Sequence, residues 1–161
     1  MKDNQVKKNG MLYLVGINLF MCIMAVGVFV VNHHISVDDY YAYFYQQVSF
    51  LTNIGQNLRP ISSGFYLLFD LCGVNMVDAQ VVLGAVLIIT LAWSISRIVI
   101  ELIEILKIQG QMDKIMVIDG GALILFLNAS FSEFLYYSSV YLAWILSILG
   151  LTYAALYIGK A

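Results

Sequence analysis

The chain has 161 residues, of which 61% are hydrophobic and only 11% charged, with a formal net charge of −2 and a mean hydropathy of +0.87. A water-soluble domain carries about 25% charged residues, so this chain is too poor in charge to have water as its main solvent. The slightly acidic balance and the absence of a basic stripe argue against nucleic acid as a partner. The expected fold is an all-α membrane protein, with one membrane domain over 1–161.

Residues 11–31 form a run of 21 without a charge, and a bilayer core takes about 20 apolar residues in a helix. Lys2, Lys7 and Lys8 precede it, as they would a secretory signal. The run is longer than the roughly 7–15 residues of a signal core and no small-x-small cleavage site follows, so it is expected to stay as a signal-anchor.

The first outer loop is expected over 32–78. Its segment "DDYYAYFYQQVSFL" sets Tyr40, Phe44, Val48 and Leu51 on one stripe of a helix, suited to lie flat in the headgroup layer. Asp38 and Asp39 at its N-terminus are favoured by the helix dipole. Residues 61–72 are apolar but only 12 long, which suits a short re-entrant or interfacial half-helix rather than a crossing. Pro60, the single proline, sits at its start, where proline is tolerated.

Three further spans are expected over about 79–103, 115–131 and 138–158. The span over 115–131 is short at 17 residues and carries Asp119 near its start, a length that snorkelling flanks can accommodate. With the spans placed in this way, Lys2, Lys7, Lys8, Arg97, Lys107, Lys114 and Lys160 gather on one side and only Arg59 on the other, seven of the eight basic residues. The positive-inside rule then puts both termini in the cytoplasm and the first outer loop outside. Cys22 and Cys72 lie in separate apolar stretches, so a disulfide is not expected and Cys22 reads as a small apolar filler.

Polar chemistry collects on the outer side. The pair Asp38–Asp39 is either a pair of solvated loop acids or a general base, one carboxylate taking a proton from an incoming hydroxyl while its neighbour tunes it. No cofactor is expected; a divalent metal held with His33 and His34 is the alternative. Arg59 either pairs with a nearby aspartate or binds a phosphate through its guanidinium fork. Tyr40, Tyr41, Tyr43, Tyr45, Tyr66, Tyr136, Tyr137 and Tyr141 fall near the outer interface, eight of eleven tyrosines. An interfacial belt explains such a bias, and aromatic faces also stack on sugar rings. Glu133, in the short second outer loop, reads by itself as a solvated acid.

The segments "VDDYY", "NLRPISSGFYLLF", "VDAQVVLGAVL" and "LNASFSEFLYYSSVYLAWIL", in that order and spacing, resemble the serotype-converting O-antigen glucosyl transferases. These are polytopic enzymes of the GT-C class that use a polyprenyl-phosphate sugar donor on the periplasmic side. The resemblance runs from about Val15 to Tyr157. It implies a GT-C-like N-terminal half in a bacterial inner membrane, with an O-antigen or lipopolysaccharide acceptor and membrane lipid as surroundings. It implies catalytic roles for Asp38 and Asp39 and substrate contacts for Arg59, Glu133, Tyr40 and Tyr41. Leu58 stands where that pattern has glycine, and Ala42 where an arginine often follows the acidic pair. Family members carry many more spans, so this chain looks like the N-terminal part of such an enzyme, with a partner chain supplying the missing spans.

Two other readings compete with a truncated transferase. One is a non-catalytic four-span helper that moves or presents lipid-linked sugar. The other is a prophage-encoded inhibitory remnant. Retention of Asp38, Asp39, Arg59 and Glu133 together favours the enzyme, and the length of the chain favours the other two.

Overall fold

The computed structural model describes residues 2–31, 60–75, 77–108, 110–127 and 141–159. Their regular structure is helical throughout: α1 (Lys2–Val31), α2 (Pro60–Leu71), α3 (Gln80–Ile105), α4 (Met112–Phe126) and α5 (Tyr141–Ile158). No strand occurs among the described residues, as the apolar runs led us to expect. The flat helix expected early in the first outer loop lies outside them.

α3 is the hub, packing against α1, α4 and α5, while α2 touches α5. Leu87, Leu91, Ile95 and Val99 of α3 recur at helical spacing and are almost fully enclosed. They meet an i, i+4 row on α1, namely Cys22, Val26 and Val30, also enclosed. α5 contributes Tyr141, Ile145, Ile148, Thr152 and Leu156. Tyr141, expected near the outer interface, heads this stripe and is fully buried.

Helix directions follow from the contacts. Val30 meets Gly84 and Asn18 meets Ser96, so numbers rise along α1 as they fall along α3, and the two are antiparallel. Gly84 permits that approach: a Cβ there would lie 2.6 Å from Val30 Cγ1 and 2.8 Å from Cγ2. The Trp93 and Tyr153 rings pack with centroids 6.1 Å apart, and Gly159 lies beside Glu101, so α5 runs parallel to α3. α4 returns from α3 after a short turn. One end of the bundle therefore holds Gly10, the 106–111 turn and Gly159, and the other holds Val31, Gln80 and Tyr141.

Two ends carry Schellman caps. At the end of α2, Gly73 N–H donates to Asp70 O and Val74 N–H to Phe69 O, with Gly73 at φ +68°. After α3, Lys107 N–H donates to Glu104 O and Ile108 N–H to Ile103 O. Here the left-handed position is filled by Lys107, at φ 53°, a conformation costing a residue with a Cβ about 1–2 kcal/mol. Ile103 and Ile108 are both buried and supply the apolar contact that accompanies this cap.

Lengths depart from expectation in places. α1 begins nine residues before the apolar run, because a helix once nucleated extends through polar residues of adequate propensity. α2 has 12 residues, about 18 Å, and is a half-helix as expected. Gln80–Ile105 and Tyr141–Ile158 are long and apolar enough to cross a membrane by length and composition, and the apolar part of α1, Leu12–Val28, is shorter. α4 has 15 residues and closes on Leu127, about 22 Å against a hydrocarbon core of about 30 Å. Two of the four expected crossings are thus matched by a described helix of sufficient length and hydropathy. Large apolar side chains nonetheless face outward all round the bundle, among them Phe20, Met24, Val117, Ile124, Leu151 and Ile158.

Candidate functional site

Polar side chains inside an apolar bundle are the features that packing alone does not explain, because an unbonded buried polar group is destabilising. Three converge where α1, α3 and α4 meet. Asn18 Nδ2 donates to Ser96 Oγ at 2.9 Å and to Asp119 Oδ1 at 3.0 Å. Ser96 Oγ in turn donates to Ala92 O at 2.7 Å. Asn18 and Ser96 are fully enclosed and Asp119 is 6% exposed.

The direction of these bonds can be argued. Ser96 spends its proton on the helix backbone, so its oxygen accepts from Asn18. Asp119 Oδ1 also accepts. The Asn18 amide must therefore turn its nitrogen toward both, which leaves Asn18 Oδ1 enclosed without a partner among the described residues. Ser94 Oγ on α3 is enclosed in the same way.

Beside this triad lies a cavity of about 530 Å³, between α1 and α4 and floored by α3. Its wall is apolar, with Ile17, Met21, Ile103, Ile115 and Leu123, and Asp119 lines its inner part. Glu104 and Tyr13 stand toward the end of the bundle that holds the 106–111 turn. Asp119 uses Oδ1 for Asn18. Among the described residues no hydrogen bond is made to its second oxygen, and Asp119 is one of the residues that line the cavity.

The site residues expected from sequence, Asp38, Asp39, Tyr40, Tyr41, Arg59 and Glu133, lie outside the described residues, as do His33 and His34. The described ends that flank them are placed. The segment 32–59 leaves from Val31 and the segment 128–140 returns at Tyr141, both at the same end of the bundle. Among the described residues no group of His, Cys, Asp and Glu is arranged to hold a metal ion. Cys22 is buried and Cys72 exposed, and both are free thiols.

The triad went unrecognised in the sequence reading, although one signal was available. An ionisable residue inside an apolar span is a functional candidate by default, and Asp119 is such a residue. Asn18 and Ser96 carry no comparable mark. Compared with known protein families, curated proteins and solved structures, this chain matches none.

Proposed function

We propose that this chain is an integral membrane protein of the bacterial inner membrane and a glucosyl transferase-like protein. It acts on O-antigen or lipopolysaccharide with a polyprenyl-phosphate-glucose donor. Both termini are cytoplasmic and the reacting face is periplasmic. The membrane reading is supported by the outward apolar side chains on α1, α4 and α5. Contiguous apolar surface of that extent is unfavourable in water and is covered by lipid in a bilayer.

The observation that carries the transfer reading is the common exit of two loops. The segment bearing Asp38, Asp39 and Arg59 and the segment bearing Glu133 both join the bundle at the Val31–Gln80–Tyr141 end. The basic residues Arg97, Lys107 and Lys114 lie toward the opposite end, as the positive-inside rule asks of a cytoplasmic face. A lipid-phosphate donor holds its phosphate at headgroup level, where loops leaving the outer end of a spanning bundle would meet it.

On this reading Asp38 or Asp39 takes the proton from an acceptor hydroxyl. That oxygen bonds to the anomeric carbon as the bond from that carbon to the phosphate oxygen breaks. Polyprenyl phosphate leaves with the electron pair, and Arg59 stabilises its charge. The displacement inverts the anomeric centre. Glu133 binds the sugar, and Tyr40 and Tyr41 stack on it.

The test is glucosylation of lipopolysaccharide in cells expressing the protein, with Asp38→Asn and Asp39→Asn compared with the parent at equal membrane abundance. Loss of a positioned base lowers the rate by about 10²–10⁴, and Asp78→Asn, on an exposed residue before α3, serves as control. Unchanged glucosylation in both variants refutes the catalytic pair. An inactive parent favours the helper or remnant reading.

A further inference from the structure

The cavity between α1 and α4 lies at the end of the bundle away from the loops that carry sugar transfer, and it has its own chemistry. It measures about 530 Å³, within the ~300–1,000 Å³ range of small-molecule sites. Along α4 its lining runs from Met112 to Leu123, a rise of about 16 Å along the helix. The described wall is almost wholly apolar, and the charged side chains among the described lining residues are both acids: Asp119 at the inner part and Glu104 toward the turn. No Lys, Arg or His is among the described residues that line it.

Asp119 is held in place by the Asn18 amide, which is itself pinned to Ser96 on the central helix. One carboxyl oxygen is thereby occupied, and the other, on a side chain that lines the cavity, makes no hydrogen bond among the described residues. Asn18 Oδ1 is fully enclosed and is not part of the cavity wall. The second Asp119 oxygen calls for a positive or hydrogen-bond-donating group, and no side chain among the described residues supplies one. A carboxylate kept from water gains most from a ligand that brings the opposite charge, because attraction rises as the local dielectric falls.

We propose that this cavity is a binding site for an amphiphilic organic cation. An apolar body lies between α1 and α4, and a cationic centre sits against Asp119. Charge sign and wall chemistry together select this class: a neutral lipid chain satisfies the wall but not Asp119, and a hydrophilic cation satisfies Asp119 but not the wall. The site is independent of the transfer reading, so its failure leaves that reading as it was.

The experiment measures binding of radiolabelled tetraphenylphosphonium to the purified full chain in uncharged detergent. Tetraphenylborate, of the same shape and opposite charge, is the comparison. The parent should bind the cation at least tenfold more tightly than the anion. Asp119→Asn keeps the shape and the Asn18 contact and should weaken cation binding by about tenfold or more, the usual consequence of removing one partner of an enclosed charge pair. Asp113→Asn, on an exposed residue of the first turn of α4, should leave it unchanged. If Asp119→Asn does not fold, Met116→Trp provides the second arm. Met116 lines the cavity with an exposed side chain, and the indole should block the groove and abolish binding. Equal binding of both ions, or cation binding indifferent to Asp119→Asn and to Met116→Trp, overturns the proposal. So does a co-purified phospholipid whose retention ignores the charge at 119.

Discussion

Asn18 joins α1 to both α3 and α4, and its replacement is the sharpest test of how the bundle is held. Asn18→Leu keeps the approximate volume and removes two hydrogen bonds, one to Ser96 Oγ and one to Asp119 Oδ1. Interhelical hydrogen bonds in membrane proteins contribute about 0.6 kcal/mol on average and at most about 1.7. Two of them set a loss of roughly 1–3 kcal/mol. Two effects pull apart from that sum. Ser96 loses little, because its proton already goes to Ala92 O. Asp119 loses more, because it is left enclosed without its donor, and a stranded buried group costs about 1–3 kcal/mol. Removal of the unpartnered Asn18 Oδ1 returns part of the cost.

The expected net is a destabilisation of about 2 kcal/mol, most of it carried by Asp119. A double-mutant cycle isolates that share. Asn18→Leu, Asp119→Leu and the pair are compared by reversible unfolding in mixed micelles. The pair should be less damaged than the sum of the singles by about 1 kcal/mol or more. Strict additivity would mean that Asn18 and Asp119 do not interact, and would refute both the triad and the anchored carboxyl on which the cation site depends.

Gly84→Ala places a methyl against Val30 and should destabilise by about 1–3 kcal/mol, measured by the same unfolding assay, with Val30→Ala restoring much of the loss. Lys107→Gly relieves the left-handed strain at the end of α3 and should stabilise by about 1 kcal/mol, read as a rise in unfolding midpoint. Ser94→Ala removes an enclosed hydroxyl without a partner and should be neutral or slightly stabilising; a loss above about 1 kcal/mol would show that the hydroxyl is bonded. Reporter fusions at Asn53 and Gln111 should report opposite sides of the membrane, and both on one side would overturn the orientation.

The order of helices was legible along the chain because it rests on local chemistry. Apolar runs long enough for a bilayer located α3, with Arg97 its one charge over 81–100, and α5 and the apolar half of α1. Pro60 located the start of α2 because proline lacks the N–H that a first turn leaves unused. Boundaries set by capping were less legible. The left-handed conformation of Lys107 cannot be read from a lysine in the sequence, since glycine is the usual occupant of that position. Nor did the apolar run show that α1 would continue back to Lys2 or that α4 would begin at Met112.

The inner site belongs to the tertiary structure alone. Asn18 and Ser96 are 78 residues apart and Asn18 and Asp119 are 101 apart, and no local periodicity pairs residues at such separations. Their meeting depends on α1 and α4 both lying along α3, and on a depth at which three helix faces coincide. The burial of Tyr141 has the same origin, since its environment is set by the face that α5 turns to α3. Composition and hydropathy sort residues between lipid and protein; only the packing of one helix against another decides which polar atoms find partners.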